Sequence, residues 1–116
     1  MERLRQRVDF LAAAAGARVA VPAFVVQVRD RRDPGPPRVG FTVSKKVGTA
    51  VERNRVRRRL RELVKRAPFL RPHCDYVLVG RRAALARGFD TMLDDLKSAL
   101  RRLDAQLTKR AQASAG

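Results

Sequence analysis

The chain has 116 residues, 27 basic and 11 acidic, for a net charge of +16 and a pI near 11.8. That length accommodates one compact domain, and an apolar content of 45% supports a core despite 33% charged residues, which excludes a disordered polyelectrolyte. So large a basic excess repels itself unless a polyanion relieves it, making nucleic acid the first candidate partner and an anionic membrane a weaker one.

The amino-terminal stretch places Leu4, Val8 and Leu11 at helical spacing, so a short helix is predicted over residues 3–15, ended by Gly16. A phenylalanine on a helix is most often a core residue, but Phe10 lies off that stripe, which leaves open that it faces a groove, where it could stack on an unpaired base. The apolar run 10–15 is shorter than the core of a secretory signal and abuts Asp9. With no run near the ~18–20 apolar residues of a membrane span, a cytoplasmic protein is expected.

Residues 23–28 (AFVVQV) are β-branched and aromatic, a strand by propensity, and residues 18–21 are expected to pair as a short strand before Pro22. DRRDPGPP (30–37) is a loop. RVGFTVS (38–44) alternates: Val39, Phe41 and Val43 point to one side, and Gly40, Thr42 and Ser44 to the other. The second side is built of small residues and leaves an open, shallow sheet face.

Next, Thr49-Ala-Val-Glu52 fits a capping box, so a second helix is predicted to begin there and run to about Arg66, with Pro68 just beyond. Val56, Leu60, Leu63 and Val64 fall in one arc of about 100° and should bury. Arg55, Arg58, Arg59, Arg61, Lys65 and Arg66 sweep the opposite side with Asn54 and Glu62, and Arg53 and Arg57 sit at the seam. RNRVRRRLR (53–61) thus holds six arginines in nine residues, and Glu62 is the lone acid between 53 and 66. Like charges meet at 53/57, 55/59, 57/61 and 61/65, each at a cost of roughly 0.2–0.5 kcal/mol. The early arginines also oppose the positive end of the helix dipole. A helix shaped only for stability would interleave glutamates, so this face is assigned to a polyanion. Lys45 and Lys46, in the loop before the helix, add side-chain cations beside its first backbone amides, a natural phosphate site.

CDYVLVG (74–80) reads as another strand, with Cys74 buried at its start and His73 in the loop before it; one Cys and one His form neither an intrachain disulfide nor a zinc site. Residues 81–88 are an ambiguous connector. From Thr91 to about Ala111, Met92, Leu93, Leu96, Leu100, Leu103 and Leu107 form a narrow stripe on a third helix. The expected fold is α+β: a single-domain α-β sandwich over residues 1–112, with a small sheet of about four strands and three helices, and a flexible tail at 113–116. No carboxylate pair, Cys/His arrangement or metal-ligand cluster stands out, so no catalytic centre or metal site is predicted on the chain itself.

The block VGFTVSKKVGTAVERNRVRRRLRE (39–62) closely resembles the signature region of the bacterial ribonuclease P protein family. The likeness extends to DF (9–10), Gly16, the FVVQV strand, DYVLVGRRAA (75–84) and the leucine-striped last helix. The resemblance implies the protein subunit of ribonuclease P, an endoribonuclease that removes the 5′ leader from precursor tRNA and whose catalyst is an RNA. It also implies an unusual left-handed βαβ crossover through the RNR helix. The implied partners are the catalytic RNA and precursor tRNA, with no protein partner and no membrane required, and magnesium serves the RNA-based reaction. Carried over residue by residue, Lys45, Lys46, Arg53, Asn54, Arg55, Arg57, Arg58 and Arg61 would contact the catalytic RNA. Phe10, with Thr42 and Ser44 on the open sheet face, would line the cleft that holds the single-stranded leader. The family often has a second aromatic four residues after the first; here it is Ala14.

Two other classes fit parts of the pattern. A plain nucleic-acid-binding protein of helix-turn-helix type would need a helix before the basic one, where residues 38–47 read as strand and loop. An autonomous nuclease would need catalytic groups the chain does not display.

Overall fold

In the computed structural model, which describes residues 2–67 and 69–115 (without the side chains of 111–115), eight elements follow one another. They are β1 (Glu2–Arg3), α1 (Arg7–Ala14), β2 (Ala17–Ala20), β3 (Phe24–Asp30), β4 (Arg38–Thr42), α2 (Ala50–Lys65), β5 (Cys74–Gly80) and α3 (Phe89–Ala115), with 3-10 turns at Lys45–Val47 and Arg82–Leu85. The strands form one mixed sheet in the order β1-β4-β5-β3-β2. β2 and β3 make an antiparallel hairpin. β3 pairs antiparallel with β5, while β5 and β4 run parallel and are joined by α2, the βαβ unit.

Strand alternation sorts side chains onto two unequal faces. Phe24, Val26, Val28, Val39, Val43, Tyr76 and Leu78 point to one side, where Val56, Leu60 and Leu63 of α2 and Met92, Leu96 and Leu103 of α3 close the main core. Leu4, Ala13 and Val77, with Phe10 and Val79 against them, form a smaller cluster under α1 on the other side. The α2 and α3 stripes bury as the sequence predicts, Leu93 being half-buried. The α3 backbone runs to Ala115, past the expected end near Ala111, and Pro68 and Gly116 lie outside the described residues.

Two expectations need correction. The sheet has five strands rather than about four, because the chain begins by pairing Glu2 and Arg3 with Arg38 and Val39. That pairing takes Leu4 out of the first helix, which starts only at Arg7. The predicted Leu4/Val8/Leu11 face is therefore not the buried one: Val8 is 67% and Leu11 58% exposed. Ala13 is fully buried instead. A small residue there lets α1 come close to the sheet, which a leucine contact would hold off.

Candidate nucleic-acid interface

The basic helix is anchored at its start as the capping box requires. Thr49 Oγ1 accepts from the Glu52 N–H at 3.2 Å, and Glu52 Oε1 accepts from the Thr49 N–H at 3.0 Å. Gly48 precedes them at φ 155°, ψ −157°, a conformation that side chains rarely adopt. Arg82 locks the junction, donating to the Val47 carbonyl at 2.7 Å and pairing with Glu52 at 3.3 Å. Hydrogen bonds from Thr49 and Arg82 hold the Glu52 carboxyl below its usual range. The cap thus already engages the amides of Thr49 and Glu52, and Lys45 and Lys46, both exposed on their turn, supply cationic side chains beside it.

Along α2, Asn54, Arg55 and Arg58 are exposed, and Arg53, Arg57 and Arg61 are half-buried at the boundary with the sheet. The seam positions of Arg53 and Arg57 follow the helical projection. Arg57 Nη1 donates to Asn54 Oδ1 at 3.1 Å, and Asn54, Arg57, Arg58 and Arg61 line one surface hollow. The rest of the arc has other work. Arg59 donates to the carbonyls of Ala84 (2.8 Å), Leu85 (3.2 Å) and Arg87 (2.8 Å), tying α2 to the turn after β5. Arg66 stands 5.0 Å from the Phe89 ring centroid, and Lys65 pairs with Glu62 at 3.1 Å. No local spacing signals the Arg59 contact, because its acceptors lie 25 to 28 residues away.

Phe10 reaches the open sheet face at Gly40. A Cβ on Gly40 would lie 2.5 and 2.6 Å from two Phe10 ring carbons, so the ring rests directly on the β4 backbone. Around that contact Arg3, Leu4, Phe10, Gly40, Phe41, Arg57 and Arg61 enclose a pocket of about 110 Å³. Phe10 and two of the α2 arginines thus meet in one place. Thr42 and Ser44 are exposed but do not line this pocket. Gly40→Ala is expected to destabilise the fold by about 1–3 kcal/mol through overpacking and to displace the Phe10 ring; denaturant titration and the Phe10 ring NMR shifts check both.

One constellation the sequence reading missed holds this end of the sheet. Asp75 is fully buried on β5, opposite Arg29 on β3 and Arg38 on β4. Arg38 grips it through two bonds of 2.7 and 2.8 Å, Arg31 donates at 2.5 Å and Arg29 at 2.9 Å. Asp9, just before Phe10, joins from α1 at 3.2 Å to Arg29 and 3.4 Å to Arg38. Burial pushes the Asp75 carboxyl up, yet the hydrogen bonds from Arg38, Arg31 and Arg29 prevail and hold it below the usual carboxylate range. The signal available in the sequence was one acid inside an apolar strand, whose partners only the strand register identifies.

Cys74 is buried, and desolvation pushes its thiol up to about 11, the wrong direction for a nucleophile. Tyr76, also desolvated, is raised to about 12 and accepts the Arg71 N–H at 2.9 Å. Among the described residues no group of three or more His, Cys, Asp or Glu side chains could hold a metal ion, and no helix is long and apolar enough to cross a membrane. Several acids are already paired with arginines, among them Asp75, Asp9 and Glu52.

Comparison with known proteins agrees with this arrangement. The Ribonuclease P family model matches residues 1–104. The ribonuclease P protein component of Ruegeria pomeroyi is 53% identical over 108 residues, covering 88% of this chain and 86% of that protein. That of Caulobacter vibrioides is 47% identical over 111 residues, covering 93% and 74%. Among solved structures, the RNase P protein of Thermotoga maritima superposes with a TM-score of 0.71 at 31% identity, covering 88% and 97% of the two chains. The Staphylococcus aureus protein gives 0.74 at 28% identity, covering 89% and 95%. A family match over nearly the whole length, close relatives and a shared fold converge: the chain belongs to the bacterial ribonuclease P protein family, the protein component of the endoribonuclease that matures tRNA 5′ ends.

Proposed function

We propose that this protein, acting as a single domain over residues 1–112 in the cytoplasm, docks the catalytic RNA on its α2 face and guides the single-stranded leader of precursor tRNA through the Phe10 cleft. In this reading Arg53, Asn54, Arg55, Arg57, Arg58 and Arg61, with Lys45 and Lys46, meet the phosphates of the catalytic RNA. Arginine suits that task because its planar fork binds phosphate oxygens in pairs. Thr42 and Ser44 give the leader polar contacts on the open face. Hydrolysis, with its magnesium, belongs to the RNA partner, and the protein contributes binding and orientation.

The observation that carries the reading is the Phe10 ring lying on Gly40 with Arg57 and Arg61 around the same pocket. An aromatic face beside cations on an open strand is what an unpaired, flexible RNA segment needs and what a folded duplex cannot use.

Reconstitution with a ribonuclease P RNA tests it. At low magnesium the protein is expected to restore cleavage of precursor tRNA. Phe10→Ala should weaken binding of leader-bearing substrate by roughly 5-fold or more, from the lost base stacking, and leave mature tRNA binding unchanged. Equal losses for both substrates would refute the leader role.

A further inference from the structure

Next to the Phe10 pocket, the edge of β4 carries a second hollow. β1 pairs with β4 only at Arg38 and Val39, and the Leu4 N–H ends that pairing on the Val39 carbonyl at 2.9 Å. Past that point the sheet edge opens toward α2. Val39, Phe41 and Val64 form the apolar wall of a cavity of about 240 Å³, with Arg3, Arg61 and Lys65 at its rim and one acid, Glu2, beside them. This is smaller than the roughly 300–1,000 Å³ of pockets for drug-sized ligands, so it suits a single flat ring system.

The chemistry of the lining selects the ligand. An apolar floor with one aromatic wall takes the face of a base, and a rim of three cations against one lining acid favours an attached phosphate, with the exposed Lys65 exchanging its surface partner Glu62 for it. The Arg61 guanidinium stands 6.0 Å from the Phe41 ring centroid, at the outer limit of cation–π attraction. The two hollows share Arg3, Phe41 and Arg61, so a strand leaving the first passes directly into the second.

We infer that the Phe41 hollow binds one unpaired nucleotide of the same RNA single strand that lies in the Phe10 cleft, its base against Phe41 and its phosphate between Arg3 and Lys65. This rests on the leader-cleft reading above.

The test measures affinity of the protein, assembled with the catalytic RNA, for precursor tRNAs whose leaders lengthen one nucleotide at a time. Wild type should gain affinity in steps to a plateau. Phe41→Leu, which keeps the apolar contact with the core, should hold its thermal midpoint and lose one step of roughly 5- to 10-fold, while Phe10→Ala loses a different step. Lys65→Gln should weaken the same step as Phe41→Leu. If Phe41→Leu reproduces every wild-type step, or weakens mature tRNA equally, the subsite assignment is overturned. If Phe41→Leu removes its step while Phe10→Ala removes none, the hollow stands and the Phe10 reading fails.

Discussion

Asp75→Ala is expected to cost about 3 kcal/mol of folding stability, the lower end for breaking a buried ion pair. The three arginines it serves keep some access to water, with side-chain exposures of 31%, 8% and 24% for Arg29, Arg31 and Arg38. Against the ~5–15 kcal/mol of a typical domain that is a large fraction, and the thermal midpoint should fall by about 10–15 °C. The carboxyl lies below its unfolded value in the folded state, so its stabilisation is complete above the unfolded pKa. It is lost as the pH falls through the folded one. Acid unfolding of the wild type should therefore steepen below about pH 4, and Asp75→Asn should remove that contribution while keeping the side-chain volume. A variant as stable as wild type at neutral pH would mean that the arginine cluster is held by Asp9 and the backbone alone. Because Asp9 joins the same cluster one residue before Phe10, a partial loss of leader affinity in Asp75→Asn is expected as well.

For the double substitution Arg53→Ala with Arg55→Ala, the expected result is a roughly 100-fold or greater loss of affinity for the catalytic RNA. Hydrogen bonds to charged groups are each worth about 1.5–3 kcal/mol, and two are removed. Salt supplies the more discriminating readout. Each neutralised phosphate contributes about 0.7 to 0.9 to the slope of log affinity against log salt, so losing two should flatten the slope by about 1.5. Arg55 is exposed and Arg53 half-buried, and a buried Arg53 Nε has no hydrogen-bond partner. The thermal midpoint separates the two contributions: Arg55→Ala alone should leave it unchanged. An unaltered salt slope in the double variant would count against direct phosphate contact by these residues.

How much of this was legible beforehand differs from element to element. The α2 boundaries, cap and buried stripe were readable because one local code, helical spacing plus Thr49 and Glu52, specifies all three. The strand at 74–80 and most of the strand expected at 23–28, observed at 24–30, followed from β-branched runs bounded by turn residues. The first helix was misread because its short apolar segment offers two candidate faces, Val8 with Leu11 and Phe10 with Ala13, and periodicity alone does not choose between them. The sheet chooses: it needs a residue as small as alanine at the closest approach, and a bare glycine backbone to receive the Phe10 ring.

The cationic face shows the same division. Composition and spacing determined that α2 carries more positive charge than folding can use, which is why a polyanion is proposed as its partner. They did not determine which arginines remain free for that partner. Arg59 is withdrawn to cap the carbonyls after β5, and Arg29, Arg31 and Arg38 are withdrawn around Asp75. Patterning along a chain records which side chains are buried together within one element, because the helix or strand repeat is local. Which charge meets which acceptor depends on strand register and on the packing of α2 against the sheet, and these bring together residues 20 to 46 positions apart, beyond the reach of any local repeat.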